Sequence, residues 1–239
     1  MITSLTNQNV KIWAKLHQKK YRDQYQLFLI EDDHLIKESI NNNCLHTLLT
    51  SSDECKYNFD NIVLVDNNII KKLSQLSSKT NYIGVCKYPC YNIDIFNRVL
   101  LLDEIQDPGN LGTIIRNAKA FNYDGIYLSN NCCDVYNDKC IRATQGSLFD
   151  IPIIRCNLVD VVNNLKNIGV NIYGTSLKDS ISIDKVEAKD KMAFVVGNEG
   201  KGVSDNILEL CDEKIIIPSN GFESLNVAVA TGIIMYRYH

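Results

Sequence analysis

Three stretches after residue 100 place glycines close to amide and charged side chains, at spacings that could serve a ligand. The first runs from residue 101 to 118, where an apolar strand leads into a Pro108-Gly109 turn and then into a helix with apolar residues at helical spacing. Asn110 stands where a helix N-cap is expected. Arg116 lies between the apolar positions of that helix, where an arginine is more often a solvated surface group than a functional one. Taken alone, this stretch leaves the role of Arg116 open.

The second stretch runs from residue 194 to 203 and places Gly197, Gly200 and Gly202 directly after an apolar strand. Glycine lets the backbone approach a ligand closely, and ligands of parallel sheets bind beyond the carboxyl ends of the strands. The pattern is neither the dinucleotide motif G-x-G-x-x-G nor a phosphate loop ending in Lys-Ser/Thr. It therefore gives poor support to a nucleotide cofactor of those classes, and a plain tight turn explains the glycines equally well.

The third stretch is Ile217-Pro218 followed by residues 223–232. Leu225, Ala228 and Gly232 share helical spacing, and Ser224 or a neighbour can cap the helix. Without further context this is a core helix.

The elements that would carry these stretches alternate between short apolar strands and amphipathic helices. Strands are predicted at residues 99–102, 125–128, 170–173, 192–196 and 214–217, and helices at 111–121, 158–168, 204–210 and 224–238. Strands that are apolar throughout are buried on both faces. The second part of the chain is therefore predicted to be a helix-flanked, mainly parallel α/β sheet.

The first 90 residues predict a smaller α/β unit. It has helical character over 11–20, strands at 27–30, 62–65 and 82–85, and a helix over 67–76. A polar segment around Pro89 marks a boundary. The predicted domains are 1–90 and 97–239.

The composition is that of an ordinary soluble globular protein, with 45% hydrophobic and 22% charged residues among 239. There is no run of about 18 apolar residues and no apolar core behind a basic N-terminus, which predicts a cytoplasmic protein. The nine cysteines include no C-x-x-C pair, and the four histidines are far from any cysteine cluster. We therefore expect buried or idle thiols and no metal site.

The net charge of −3 does not by itself favour nucleic-acid binding, but its distribution is uneven. The first 90 residues carry 11 lysines and arginines against 9 acids, and the remainder 14 against 19. Five basic residues precede the first acid, namely Lys11, Lys15, Lys19, Lys20 and Arg22. Charge alone favours a solvated helix face, so a role in RNA binding depends on context.

In their order along the chain, the three stretches resemble the motifs of the SpoU (TrmH) family of RNA ribose 2′-O-methyltransferases, in the SPOUT class. Residues 134–149 and Ile151-Pro152-Ile153 resemble the middle of the same family, so the likeness spans about 98–238. Residues 1–88 are more loosely similar to the L30e-like RNA-binding domain often fused in front. Where that domain usually has Gly after Glu31, this chain has Asp32.

The resemblance implies a C-terminal α/β sheet with a deep trefoil knot, an exception to the rule that chains are unknotted. It implies a homodimer formed through the C-terminal domain, with S-adenosylmethionine (AdoMet) held in the loops of the knot and no metal required. By motif, Gly197, Ile217 and Leu225 would line the AdoMet pocket, with Thr175, Gly202 and Ala228 as neighbours.

The resemblance also implies a catalytic set. Arg116 would act on the ribose 2′-hydroxyl, either as a base or as an electrostatic stabiliser of the developing alkoxide, and we prefer the stabiliser because a guanidinium stays protonated. Four further residues would orient Arg116, the ribose and its phosphate, namely Asn110, Glu199, Ser224 and Asn226. RNA binding would fall to Lys11, Lys19, Lys20 and Arg22.

The implied reaction is ribose 2′-O-methylation of structured RNA, and 23S ribosomal RNA is the expected substrate. Transfer RNA is an alternative, as is a non-catalytic RNA-binding or ribosome-assembly factor on the same fold. A small-molecule or protein methyltransferase is a third possibility, which the basic N-terminal segment disfavours.

Overall fold

Two β-sheets organise the chain. The computed structural model describes residues 1–76, 80–91, 93–94, 96–220 and 224–239. They form two units: an N-terminal unit of Met1–Cys90 with Tyr136–Phe149, and a C-terminal unit of Tyr91–Val135 with Asp150–His239.

The helices and strands of both units follow in chain order, with single 3-10 turns at Ser147–Phe149 and Ile183–Lys185. They are α1 (Gln8–Lys15), α2 (Lys19–Tyr25), β1 (Leu27–Ile30), α3 (Asp33–Asn41), β2 (Leu45–Thr50), β3 (Ile62–Leu64), α4 (Asn67–Leu73), β4 (Tyr82–Lys87), β5 (Arg98–Leu102), α5 (Pro108–Ala120), β6 (Gly125–Ser129), α6 (Asp138–Thr144), β7 (Ile153–Cys156), α7 (Leu158–Asn167), β8 (Asn171–Thr175), β9 (Ile181–Ser182), β10 (Met192–Val196), α8 (Asp205–Leu208), β11 (Glu213–Ile216) and α9 (Val227–Arg237).

The N-terminal sheet has the order β1-β4-β2-β3, antiparallel except between β2 and β3. The predicted helix over 11–20 is wrong in one respect, because it is broken into α1 and α2. The Arg22 guanidinium binds the carbonyls of Leu16 (2.8 Å) and His17 (2.9 Å), which would otherwise accept bonds from the following turn. The sequence analysis missed β2 and α3; Asp32 starts α3 by accepting a bond from the His34 amide at 2.8 Å.

The segment 136–149 packs in the N-terminal unit although it lies far along the chain. The Tyr136 ring stacks on Tyr88 with centroids 3.9 Å apart and lies 4.8 Å from Phe28. Phe149 lies 6.1 Å from the same Phe28, whose side chain is fully buried. These aromatic contacts tie the segment to β1.

The C-terminal sheet has seven strands in the order β7-β6-β5-β10-β8-β11-β9, and every neighbouring pair is parallel. This confirms the predicted parallel α/β sheet. The central strands β5 and β10 are buried almost throughout, as their unbroken apolar sequences predict. The edge strands β7 and β9 were not predicted from the sequence.

The strand order reverses direction beside β5, with β6 and β7 on one side and β10, β8, β11 and β9 on the other. In a parallel sheet this switch point opens a crevice at the carboxyl ends of the strands. The loops after β5 and β10 therefore lie side by side there. Among the described residues, no helix is both long and apolar enough to cross a membrane.

Candidate active site

Loops at the carboxyl edge of the C-terminal sheet converge on one carboxylate, that of Glu199. It lies in the glycine loop, residues 197–203, which follows β10. One carboxylate oxygen accepts a bond from the Asp107 amide (3.1 Å) and one from the Asn110 side chain (3.0 Å), while the other accepts from the Gln106 amide (3.2 Å). Glu199 thus binds the first turn of α5 and the β5 loop, residues 103–107, that precedes it.

Asn226 connects α9 to the hydrogen bonds around Glu199. Its side-chain amide donates to Asn110 Oδ1 at 3.0 Å, and its oxygen caps α9 by accepting from the amides of Ala228 and Val229. Ser224 or a neighbour was the predicted cap, and the residue is Asn226. A chain of hydrogen bonds therefore runs Glu199–Asn110–Asn226, across three loops that are distant in sequence.

The cap predicted for α5 is wrong. Asp107 is the N-cap, because its carboxylate accepts a bond from the Asn110 amide at 2.8 Å. Asn110 sits within the first turn, and its side chain is thereby left to bridge Glu199 and Asn226.

The charge of Glu199 is stabilised where it lies. Burial by itself raises the pKa of a carboxyl group, but the bonds from the Asn110 side chain and from the amides of Asp107 and Gln106 outweigh it. The pKa of Glu199 therefore lies below its ordinary value, and the group is ionised at neutral pH. A fixed negative charge in this crevice suits a cationic ligand.

The glycine loop folds back on itself. The backbones of Asn198 and Gly202 exchange two hydrogen bonds, of 3.0 and 2.9 Å, and Gly202 has a φ of +76°. Gly197 lies so close to this pair that a Cβ there would meet the backbone of residues 202–203 at 2.1 Å. Gly197 therefore cannot carry a side chain in this conformation.

Two side chains that the sequence analysis missed hold the glycine loop in place. The Asn198 amide donates to the Glu104 carbonyl (2.9 Å), and its oxygen accepts from the amides of Gly200 and Lys201. Asp103 is buried and accepts bonds from the amide (2.9 Å) and hydroxyl (2.6 Å) of Ser204. A polar residue directly after a buried strand, as at Asp103, and an Asn two residues before a glycine are signals that could have identified them.

The remaining residues predicted for AdoMet lie at the same edge of the sheet. Thr175, the last residue of β8, donates to the Val195 carbonyl of β10 at 3.1 Å. Ile217 follows β11 and is half-buried, Ala228 is buried in the first turn of α9, and Leu225 just before it is 40% exposed. Leu225 therefore offers exposed apolar surface next to Asn226, and apolar surface of this kind is common in ligand pockets.

Arg116 and Ser224 are not part of the hydrogen-bonded group. Arg116 is exposed on α5, six residues beyond Asn110, which places it about 240° around the helix axis at 3.6 residues per turn. Its guanidinium forms no hydrogen bond or ion pair with any residue in the described ranges. Ser224 is exposed. A single chain thus gathers Asn110, Glu199 and Asn226 and leaves the guanidinium apart.

The basic residues of the N-terminal unit divide into two kinds. Lys11 and Lys20 are exposed, and Lys19 is exposed but paired with Asp23. Arg22 is only 6% exposed and is engaged with the carbonyls of Leu16 and His17. The Arg22 guanidinium therefore stabilises the fold in this structure, and its assignment to RNA binding stays a prediction.

No group of three or more His, Cys, Asp or Glu side chains in the described part of the chain is arranged to hold a metal ion. The nine cysteines all lie in that part and form no disulfide.

Comparison with known proteins matches two parts of the chain to two families. Residues 97–236 match the SpoU rRNA Methylase family, and residues 7–83 match the MRM3-like substrate binding domain. The 23S rRNA (guanosine(2553)-2′-O)-methyltransferase RlmP of Bacillus subtilis is 37% identical, over 99% of this chain and 98% of that protein.

Two solved structures show the same fold over nearly the whole chain. The AdoMet-bound rRNA methyltransferase of Sinorhizobium meliloti is 30% identical with a TM-score of 0.89, covering 99% of this chain and 95% of that one. The SpoU methyltransferase AviRb of Streptomyces viridochromogenes, in complex with AdoMet, is 23% identical with a TM-score of 0.85, covering 97% and 96%. At the latter identity the likeness concerns the fold alone. With a family match over more than half its length, the chain belongs to the SpoU rRNA methylase family.

Proposed function

We propose that this chain is an AdoMet-dependent RNA ribose 2′-O-methyltransferase that acts on 23S ribosomal RNA. The observation that carries the proposal is the Glu199–Asn110–Asn226 chain of hydrogen bonds, which ties the three family motifs together beside Gly197. The 37% identity with RlmP over both full lengths supports ribosomal RNA as the substrate. Such a substrate would place the enzyme in the cytoplasm, as the composition predicts.

We propose separate roles for the residues that bind AdoMet and for those that hold the loops in place. AdoMet, when bound, supplies a methyl group that its sulfonium already makes electrophilic. We propose that Gly197, Ile217 and Leu225 bind it, with Thr175, Gly202 and Ala228 around them. Glu199, Asn110 and Asn226 keep the three loops at fixed separations, so that the ribose oxygen can be held in line with the methyl group.

The ribose 2′-hydroxyl is a weak acid, so the reaction needs a group that stabilises the alkoxide as the proton leaves. We propose Arg116 for this task, because a guanidinium carries a permanent charge and donates several hydrogen bonds. Arg116 lies outside the hydrogen-bonded group of its own chain and is exposed. We therefore propose that it completes the site of a second subunit.

The last helix supports a homodimer through the C-terminal unit. Three large apolar side chains of α9 are exposed at the spacing of one helix face, at Val229, Ile233 and Tyr236. Exposed apolar patches of this kind mark interaction surfaces. A dimer would cover this face, and the trefoil knot implied by the family remains part of the same proposal.

Mixed dimers test the placement of Arg116. Arg116→Ala and Glu199→Ala chains, each expected to be inactive alone, are unfolded together and refolded at equal amounts. If Arg116 serves the partner's site, half of the dimers are mixed and each has one complete site, which restores about one quarter of wild-type activity. If Arg116 serves its own chain, no site is complete and the mixture remains inactive.

The reaction itself is tested with labelled AdoMet and purified RNA. The wild-type chain is incubated with 23S ribosomal RNA or with transfer RNA, and 2′-O-methyl positions are mapped. The guanosine equivalent to position 2553, the one named for RlmP, is the first to examine. Methylation of transfer RNA alone would overturn the ribosomal assignment, and AdoMet binding without methylation of any RNA would favour a non-catalytic factor.

Arg116→Ala should lower turnover roughly 10²- to 10⁴-fold while AdoMet affinity stays nearly unchanged.

A further inference from the structure

We infer that Arg155 is a positioning residue, which fixes the AdoMet-binding glycine loop through two intervening loops. Arg155 lies on the edge strand β7, and its guanidinium gathers four backbone carbonyls. Nη1 donates to those of Ser129 (2.9 Å), Asn130 (3.0 Å) and Cys132 (2.9 Å), and Nη2 to that of Cys133 (2.7 Å). The carbonyls all belong to the end of β6 and to the β6 loop, residues 130–135, that follows it.

The end of β6 and the β6 loop in turn hold the end of β5 and the β5 loop by five further contacts. The Glu104 amide donates to Ser129 Oγ at 2.8 Å, and the Cys133 amide donates to the Ile105 carbonyl at 2.8 Å. The Asn131 side-chain amide donates to the Glu104 carboxylate, and the Asn131 backbone carbonyl accepts from the Gln106 side chain. The Cys132 thiol donates to the carbonyl of the last residue of β5. Glu104 has a φ of +57°, a conformation that costs a residue with a side chain about 1–3 kcal/mol and persists only when its surroundings impose it.

The β5 loop then holds the glycine loop. The Glu104 carbonyl accepts the Asn198 side chain at 2.9 Å, and the amides of Gln106 and Asp107 bind the Glu199 carboxylate. The Arg155 guanidinium is thus connected to Asn198 and Glu199 through the β6 loop and then the β5 loop. Arg155 belongs to none of the three family stretches that carry the proposed chemistry.

The chemistry of the group explains why arginine is needed. Four carbonyl oxygens directed at one point repel one another unless a cation lies between them. A planar guanidinium offers several donors in fixed directions, whereas a lysine ammonium offers three at a single point. Arg155→Lys would therefore keep the charge and lose the simultaneous contact with all four carbonyls.

The inference rests on the proposed role of the glycine loop in AdoMet binding. Arg155→Lys should weaken AdoMet affinity about ten- to a hundredfold, the penalty expected when a binding group is misplaced by up to about 1 Å. Affinity for RNA at fixed salt should stay within about twofold of wild type, because Arg155 acts on the loops and not on the phosphates. Calorimetric titration with AdoMet and filter binding of 23S RNA measure the two affinities.

Arg98 provides a matched control at the opposite end of the same sheet. It opens β5, and its guanidinium also gathers backbone carbonyls, those of Asn97 (2.7 Å), Asp190 (2.9 Å) and Tyr238 (2.6 Å). Arg98→Lys should lower the melting temperature as Arg155→Lys does, yet leave AdoMet affinity within about twofold. Equal losses of AdoMet affinity in the two variants would mean that Arg155 only stabilises the fold, and would overturn the inference.

Chemical rescue supplies a second test that does not depend on lysine. Arg155 is exposed, so added guanidinium ion at a non-denaturing concentration can reach the four carbonyls in Arg155→Ala. Recovery of AdoMet affinity there supports the inference, and absence of any recovery opposes it. Loss of RNA affinity with a shallower salt dependence would instead assign Arg155 to a phosphate contact. Failure of the wild-type chain to bind AdoMet would overturn the proposed function itself.

Discussion

Replacing Gly197 by alanine is the sharpest test of the AdoMet site. The added Cβ would lie 2.1 Å from the Gly202 carbonyl carbon, 2.1 Å from the Val203 nitrogen and 2.3 Å from the Gly202 oxygen. All three atoms are backbone, and real Cβ contacts essentially never fall below 3.0 Å. The strand end and the returning loop must therefore separate by about 1 Å, enough to cost a hundredfold in a positioned site.

The size of the effect follows from what this separation breaks. The two hydrogen bonds between Asn198 and Gly202, of 3.0 and 2.9 Å, cannot both survive it. At about 1 kcal/mol for each bond, with about 1–3 kcal/mol for overpacking, the free energy of unfolding should fall by about 3–5 kcal/mol. AdoMet affinity should fall at least about a hundredfold, because the displaced loop is the proposed binding surface.

Calorimetric titration with AdoMet and thermal unfolding measure the two effects. Gly200→Ala is the matched control in the same loop, since a Cβ there would meet only the Asn198 side-chain oxygen, at 3.6 Å, and the φ of Gly200 is not in the left-handed region. That control should bind AdoMet as the wild type does. Wild-type AdoMet affinity in Gly197→Ala would refute the assignment of this loop to the cofactor.

Three further predictions concern the rest of the molecule. Because the pKa of Glu199 is depressed, the ionised carboxylate stabilises the fold above the ordinary value of 4.5, and this stabilisation is lost as the pH falls through the folded-state pKa. Glu199→Gln should therefore lower the melting temperature at pH 7. A difference in melting temperature from wild type that does not shrink in acid would contradict this. Lys20→Gln should reduce the slope of log RNA affinity against log salt concentration by about 0.7–0.9. Arg22→Gln should leave this slope unchanged and instead destabilise the fold by about 2–4 kcal/mol, because its carbonyl contacts are lost. Urea unfolding measures the second effect. Tyr136→Ala should destabilise the N-terminal unit by about 2–4 kcal/mol, because it removes the ring stacked on Tyr88 and next to Phe28, and unchanged amide exchange in β1 and β4 would oppose this.

Much of the fold could be predicted because its signals are local. Apolar runs identified β5, β6, β8, β10 and β11, since a strand buried on both faces must be apolar throughout. The edge strands β7 and β9 were not predicted, because an edge strand need not be apolar throughout and β9 has only two residues. The break between α1 and α2 was also missed, as it depends on where the Arg22 side chain goes.

The candidate site was predicted in part. The resemblance to a family pointed to Asn110, Glu199 and Asn226, and the structure brings these three together. It did not indicate Asp103 or Asn198, whose roles are contacts with residues far along the chain. The burial of Arg22 could not be predicted from sequence either, because burial of a charged side chain depends on its tertiary partners.

The sequence alone determined the inner strands of the C-terminal sheet, their parallel arrangement and the motif residues, because periodicity and glycine placement act over a few residues. Only the tertiary structure decided which side chains meet: that one carboxylate joins three loops, that Asp107 and not Asn110 caps α5, and that segment 136–149 packs on β1. The physical reason is that hydrogen bonds and ring contacts are short-ranged in space, whereas the residues that form them lie up to 140 positions apart in the chain.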